Sequence, residues 1–341
     1  MTAVTERTSS GSGYASCHHG EILQGVFLDE RGRRCAGLVT LPMTGPGTRA
    51  DVVLHPAPSP GKVSVIPPDR TKALRAAALT IEECRALRPQ GPLWGAELRL
   101  SGDIPLGLGM GSSSSDVIAT VRAVADAHGL QLPARTIARL AVRAEQASDP
   151  LMLDSRPTLF AQREGRVLEV LGEALPPAVV VGCALGAGKP VDTLALPAPA
   201  SGHGDIHAYE RLRSLLRRAI ADADTELLGR VSTESARRAQ PVLQQLEFGR
   251  LTRIAEQAGA VGVQIAHSGS VAGLLFDPAA PGLKRRLRRC VRALDRAGIP
   301  VTRTFTTFTT SEEYLSGRAH SRIGGPAGPD PSRRPAHLSA L

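Results

Sequence analysis

The apolar patterning of this sequence predicts an α/β chain, and three observations lead there. Short β-like runs ending at Gly or Pro come first, two amphipathic helical stretches follow, and helical and β-like segments then alternate to about residue 306. The 341 residues, 42% of them hydrophobic, suffice for two ordinary domains or one large one with a sizeable core.

The first stretch, 1–13 (MTAVTERTSSGSG), and the last, from 318 onward, are rich in Ser, Gly, Pro and Arg. Such composition cannot bury enough apolar surface to offset ordering entropy, so disorder is expected at both ends. Between them, GLVTLPM (37–43), ADVVLHP (50–56) and AELRLSG (96–102) read as three early strands. A helix over 115–128 carries Val117, Ile118, Val121, Val124 and Ala125 on one face, and a second over 134–147 carries Ile137, Leu140, Ala141 and Ala144. Gly129 and Pro133 punctuate the connection. Further strands are expected at 166–171 and 178–183, then helices through about 258, a strand at 271–276, another helix and a last strand at 301–306. A polar Pro/Gly/Ser stretch near 195–205 suggests a junction close to residue 190, dividing the ordered chain into 14–190 and 191–317 before a basic tail at 318–341, with a sheet free to cross that junction.

Composition excludes several classes. The 35 Gly and 26 Pro lack a collagen period and the longest apolar runs fall short of a membrane span, so neither a fibrous nor an integral-membrane protein is expected. The 41 basic and 32 acidic side chains give a formal charge of +9, which suits a nucleic acid, an anionic membrane surface or a small anionic ligand such as a nucleotide. Much of the excess is local, in KRRLRRCVR (284–292) and in the tail with Arg318, Arg322, Arg333 and Arg334. The first of these has Leu283, Leu287 and Val291 at i, i+4 and i+8, the pattern of an amphipathic helix with a solvated basic side and no catalytic role. With six Phe, three Tyr and one Trp there is little surface on which bases could stack, and no zinc-finger or RNP pattern occurs; neither nucleic acid nor membrane is an expected partner. Five widely spaced cysteines form no disulfide framework or CxxC motif, and the N-terminus lacks a secretory pattern, so a reducing, cytoplasmic location is expected.

The chemistry concentrates in DIPLGLGMGSSSSD (103–116), between a strand and a helix. Gly107, Gly109 and Gly111 remove side chains from a turn, and the helix that follows presents unpaired amides and the positive end of its dipole. Such a loop is built to hold phosphate. Ser112 to Ser115 add hydroxyls that can cap the helix or reach a magnesium ion or a phosphate oxygen, and Asp116 lies near the same positive end. A flexible Gly/Ser linker is the bland alternative, but a linker need not separate a strand from an amphipathic helix. GxGxxG is excluded because Ser112 stands where the third glycine belongs, and GAGKP (186–190) fails as a P-loop because Pro190 follows Lys189.

PLGLGMGSSSS (105–115) resembles the PxxxGLGSSA phosphate motif of the GHMP kinases, which phosphorylate small alcohols with ATP. GEILQG (20–25) and GVQIAHSGSVAGLLF (262–276) are similar to the early and late motifs of that family's L-threonine kinase branch in cobalamin metabolism. The branch typically reads ASCGELIQG where this chain reads ASCHHGEILQG, with His18 and His19 inserted, a departure that bears on the substrate more than on the reaction.

The resemblance implies the two-domain GHMP kinase fold, with a ribosomal-protein-S5-like N-terminal domain and a ferredoxin-like C-terminal domain. It implies ATP and Mg2+ as cofactors and transfer of the γ-phosphate to the hydroxyl of a small amino acid, L-threonine leading. It places the nucleotide on Pro105, Gly107, Gly109, Gly111, Ser112, Ser113 and Ser114, and the magnesium on Ser113 and Glu145. Glu145 also lies four residues after Ala141, at the edge of the apolar stripe, where a half-buried carboxylate wants a cation; the ordinary alternative is a surface pair with Arg139 or Arg143. In SDPLMLDS, Asp149 matches the family's catalytic aspartate better than Asp154, although some GHMP kinases, homoserine kinases among them, work without a carboxylate base, in which case either aspartate caps a turn. Ser113, Glu145 and Asp149 are thus the expected catalytic set.

On the acceptor side the resemblance points to Glu21, Gln24, His19, Asp192, Ser268 and Gly269. Glu21 and Gln24 suit the ammonium and carboxylate of an amino acid, whereas Asp192 and Thr193 are equally explained by a strand-end turn. His267, Ser268, Gly269 and Gly273 form a second small-residue turn, or simply a tight strand connection. His18 and His19 are adjacent in an extended segment, so their side chains point oppositely and do not readily share one metal ion. The rival expectations are a relative acting on homoserine, another hydroxy amino acid, a sugar or an intermediate of specialised metabolism, and a nucleotide-binding regulatory protein without turnover. A homodimer is left open.

Overall fold

The computed structural model describes residues 8–57, 62–104, 109–153, 156–186, 203–266 and 270–308. The expected basic tail and residue 190 lie outside these.

Two long strands, β1 (Ser9–Leu28) and β2 (Arg34–Ala57), form an antiparallel hairpin at the centre. Its turn is closed by the Asp29 carboxylate, which accepts from the backbone N–H groups of Arg31 (2.9 Å) and Arg33 (2.8 Å), with Gly32 at φ 69°. β3 (Val63–Ile66) and β4 (Leu93–Gly102) extend the sheet on the β2 side. On the β1 side come β8 (Gly262–Ile265), β9 (Val271–Phe276), β7 (Val179–Ala184) and β10 (Val301–Thr306), giving the order β10-β7-β9-β8-β1-β2-β4-β3. β5 (Thr158–Ala161) pairs with β2 and with β6 (Arg166–Val170). The sheet does cross the expected junction, since β7 lies between two strands from the far end of the chain.

Helices α1 (Thr71–Leu87), α2 (Ser112–Ala127) and α3 (Ala134–Glu145) cover the β1-β2-β4-β3 part. Helices α4 (His203–Ala221) and α5 (Thr225–Ala239) pack over the middle of β1, and α6 (Phe248–Ala258) and α7 (Leu283–Arg296) over β7, β8 and β9. α2 is central: nearly every residue from Ser114 to Ala125 is buried, and each valine or isoleucine among them contributes about 1.5–3 kcal/mol by withdrawal from water. Its inward polar groups are satisfied. Ser115 donates to the Ala15 carbonyl (2.7 Å) and accepts from the Thr48 N–H (3.1 Å), while the Thr48 hydroxyl donates to Asp116 (2.7 Å). No helix among the described residues is long and apolar enough to cross a membrane, and all five cysteines are buried and free.

Four differences from the sequence expectations have physical causes. Residues 9–13, expected to be disordered, belong to β1, where Gly11 and Gly13 lie so close to α2 that a Cβ on either would collide with the helix backbone at Ala127 or Ala119. The glycines serve close approach there rather than flexibility. The two expected strands at 37–43 and 50–56 are one continuous β2, carried through the Gly/Pro-rich centre by its pairing with β1. Helix α1 was missed because its buried stripe is built from small residues, Ala73, Ala76, Ala77, Thr80 and Cys84, and the four-residue strands β3, β5 and β8 are too short to leave a pattern. In α7 the buried positions are Leu283, Cys290 and Leu294, and Val291 is exposed rather than part of the stripe.

Candidate active site

The mouth of α2 is assembled from three distant segments. Gly109 (φ 79°) and Gly111 (φ 70°) make the turn into the helix in left-handed conformations that glycine adopts without strain. Gly111 is the N-cap, and no side chain caps the helix, so its first amides and dipole face outward from the turn. Pro105 and Gly107 lie outside the described residues.

The serines that follow are committed elsewhere. Ser113 donates to Glu145 Oε2 (2.7 Å) and Ser114 to Glu145 Oε1 (2.8 Å), so both carboxylate oxygens at the end of α3 are bound from the start of α2. α3 ends there because Gln146 turns left-handed at φ 70°, two residues earlier than the sequence suggests. Ser114 also accepts from the Asp149 N–H (3.1 Å), which ties the segment after α3 to the same point. Lys72, second residue of α1, brings Nζ to 4.0 Å from Glu145 Oε2, with its side chain half exposed. The alternative partner Arg139 is instead bound to Glu83 (2.6 Å). Burial pushes the Glu145 carboxyl up to about 7, against the serine hydrogen bonds and Lys72 that favour its charged form. Such a group needs a cation to stay ionised. A buried carboxylate next to hydroxyls, at a helix N-terminus, is a hard-oxygen donor set of the kind magnesium takes, and the bare glycine turn suits phosphate; the residues fit ATP and Mg2+.

Asp149 is the third member, and its Oδ2 lies 3.0 Å from His18 Nε2. His18 reaches it because β1 is irregular there: its register against β2 slips between Ser16 and His18, between His18 and Glu21, and between Glu21 and Leu23, with Gly20 at φ 68°. The ring is fully buried, Nδ1 lies 3.2 Å from the Gly20 carbonyl and 3.9 Å from Glu21 Oε1, and the His18 backbone N–H donates to the Met110 carbonyl (3.3 Å). Burial opposes the charged ring, but the Asp149 carboxylate, then Glu21 and the Gly20 carbonyl, together raise its pKa to about 9.

His19 points the other way, as alternation along a strand requires. Its Nδ1 meets Gln264 Oε1 (3.1 Å), its ring lies 5.0 Å from that of Phe305, and burial lowers its pKa to about 4. The expected acceptor-side contact is therefore replaced by a fully buried place in the core, turned away from Ser113, Glu145 and Asp149. Glu21 and Gln24 are buried in β1: Glu21 pairs with Ile265 of β8, and the Gln24 N–H donates to Ser235 of α5 (3.0 Å). Gly273 lies within β9 opposite Gly182 and Gln264, not in a turn. Asp154, Asp192, His267, Ser268 and Gly269 lie outside the described residues.

Sequence reasoning missed two members of this group. Lys72 was hidden with α1, and His18 was read as a poor partner for His19 on a metal ion; neither carries a local signal for its partner.

Residues 72–153 match the profile of the GHMP kinases N-terminal domain. The chain is 30% identical over 188 residues to an L-threonine kinase of Citrobacter freundii, covering 51% of this chain and 60% of that protein. It is 28% identical over 200 residues to an L-threonine kinase of Salmonella typhimurium, covering 54% and 61%. It thus spans about three fifths of the length of these curated relatives. Its fold is similar to that of a homoserine kinase from Cytophaga hutchinsonii, with a TM-score of 0.59 at 17% identity over 90% of this chain and 96% of that one. Residues 72–153 thus carry the GHMP kinases N-terminal domain, and the fold around them is similar to that of a homoserine kinase.

Proposed function

We propose that this chain is a phosphotransferase that moves the γ-phosphate of ATP to the hydroxyl of a small amino acid, with L-threonine the leading acceptor and O-phospho-L-threonine the product. The observation that carries the reading is the joining of Ser113, Glu145 and Asp149 by direct hydrogen bonds through Ser114 at an uncapped helix N-terminus. Similarity to L-threonine kinases supports threonine as the acceptor.

In this reading the nucleotide phosphates lie on Gly109, Gly111 and Ser112 to Ser114, with Pro105 and Gly107 completing the loop, and Mg2+ on Ser113 and Glu145. The bound metal–nucleotide supplies a phosphorus centre whose oxygens are charge-neutralised. The protein's own part is to hold and to accept. Loop amides and the α2 dipole fix the phosphates, Lys72 adds a mobile positive charge beside Glu145, and the Asp149 carboxylate accepts the hydroxyl proton. Glu21 and Gln24 recognise the ammonium and carboxylate of the acceptor, assisted by Asp192, Ser268 and Gly269. Five free, buried cysteines fit a reducing compartment, which we take to be the cytoplasm.

A second reading, homoserine or another hydroxy amino acid as acceptor, is favoured by one feature: the His18–His19 insertion reshapes β1 beside Asp149. ADP release measured with Mg2+ and ATP across hydroxy amino acids and sugars separates the two. Turnover restricted to threonine and close analogues, with an O-phosphoamino acid identified by mass, is the expected result. Equal activity on a sugar rejects the amino-acid assignment, and nucleotide binding without turnover on any alcohol favours a regulatory protein.

A further inference from the structure

We propose that His18 is the positioning residue of the acceptor-side base: one buried side chain in a bulge of β1 holds the Asp149 carboxylate in place while its own backbone anchors the phosphate loop. The inference rests on the kinase reading and deepens it.

The hydrogen-bond chemistry of the ring is informative by itself. A carbonyl oxygen only accepts, so Nδ1, 3.2 Å from the Gly20 carbonyl, must carry a proton. Nε2 lies 3.0 Å from an Asp149 carboxylate oxygen, an ion-pair distance that favours a proton there as well. A ring with protons on both nitrogens is a cation, and the pair is a charge-assisted contact in a site the ring itself shares with no solvent. Its faces meet Asp149 from the segment after α3, Glu21 from its own strand and the Gly111 backbone from the loop; neighbouring His19 turns to the other side of β1. Glu21 stands 3.9 Å from Nδ1 and balances the second edge of the ring. The same three groups, His18, Glu21 and Asp149, lie within 4.8 Å of one another, and a ring protonated at both nitrogens offers a metal no lone pair.

Steric fit adds a second, independent constraint. A Cβ at Gly111 would stand 2.5 Å from both Cδ2 and Nε2 of His18 and 3.3 Å from Asp149 Oδ2, so the ring fills the space that the glycine leaves. The His18 N–H to Met110 carbonyl bond fixes the neighbouring loop residue. The Asp149 side chain keeps 18% of its surface exposed, enough to leave a carboxylate accessible on one side while the other is clamped. An ordinary core histidine would need neither a carboxylate partner nor a left-handed glycine opposite it.

The test compares His18→Ala, His18→Gln and Asp149→Asn in the full chain, measuring kcat, acceptor KM, nucleotide affinity and melting temperature. Misplacing a catalytic group by about 1 Å costs roughly 100-fold, so His18→Ala is expected to lower kcat by roughly that factor with nucleotide Kd changed less than about threefold. His18→Gln, whose amide N–H can still reach Asp149, is expected to restore part of the loss. Loss of nucleotide affinity in step with kcat, wild-type kcat in His18→Ala, or a Gln variant no better than Ala overturns the proposal. If Asp149→Asn abolishes turnover while His18→Ala is fully active, the kinase reading stands and the positioning role falls; if Asp149→Asn is fully active, the base assignment falls and this proposal with it. A readout independent of turnover is the nitrogen NMR of labelled histidine at pH 8. A doubly protonated His18 ring in the wild type that becomes neutral in Asp149→Asn is expected, and a neutral ring in the wild type overturns the proposal.

Discussion

His18 and His19 are consecutive, equally buried and embedded in the same strand, yet one is driven towards the charged form and the other towards the neutral form. Burial penalises both imidazolium ions. The difference lies in what each ring meets: His18 faces two carboxylates and a carbonyl, whereas His19 faces an amide and a phenyl ring. Placement of a titratable group in a protein interior therefore says little about its charge until its partners are known. Along β1 the alternation of the strand assigns one histidine to the N-terminal mouth of α2 and the other to the core beneath β7 and β9.

The largest expected effect concerns the end that His18 faces. Ser113→Ala and Glu145→Ala should each lower kcat by roughly 10²–10³-fold, the usual cost of removing one group that stabilises developing charge. Wild-type kcat in both variants would detach the α2 mouth from the chemistry and leave His18 as one more buried ring.

Next in size are opposite pH dependences of stability. His18 has a folded pKa of about 9, above its ordinary 6.5, so its contribution is fully present below pH 6.5 and is lost as pH rises through 9. His19, lowered to about 4, contributes above pH 6.5 and loses that contribution as pH falls towards 4. Each amounts to about 3–4 kcal/mol at most, at one pKa unit per 1.36 kcal/mol. Urea titrations of His18→Asn and His19→Asn from pH 4 to 9.5 should flatten the alkaline side in the first and the acid side in the second. Identical profiles would end the contrast. Glu145, raised to about 7, acts in the acid range as well: folding is favoured when it is protonated and loses stability as pH rises from its ordinary 4.5 through 7, a slope that Glu145→Gln should remove.

A smaller effect is expected at the other end of β1. Gly13→Ala forces a methyl group against the backbone of α2 and should cost about 1–3 kcal/mol in chemical denaturation, as overpacking does. A neutral result would return residues 9–13 to the disorder that their composition suggests. Smallest of all, Arg139→Ala removes a pair with Glu83 whose arginine is half exposed, and should change stability by about 1 kcal/mol or less without touching kcat. A loss of turnover there would mean that Arg139 serves Glu145 after all.

Local pattern alone determined a good deal of this protein. The helical periods of 115–128 and 134–147, the glycines and serines of 105–115 and the acidic residue at 145 were legible because each is a feature of one turn or one face, encoded within a few residues. The structure then showed Ser113 and Glu145, 32 positions apart, in direct contact. Tertiary structure alone decided the rest. That Gly11 and Gly13 make room for a helix, that an alanine stripe in α1 brings Lys72 to Glu145, that His18 meets Asp149 while His19 meets Gln264, 245 positions along the chain, are consequences of which surfaces the sheet brings together. Periodicity reports which face of an element is buried; it carries no information about what that face is buried against, and the charge of a histidine depends on the second.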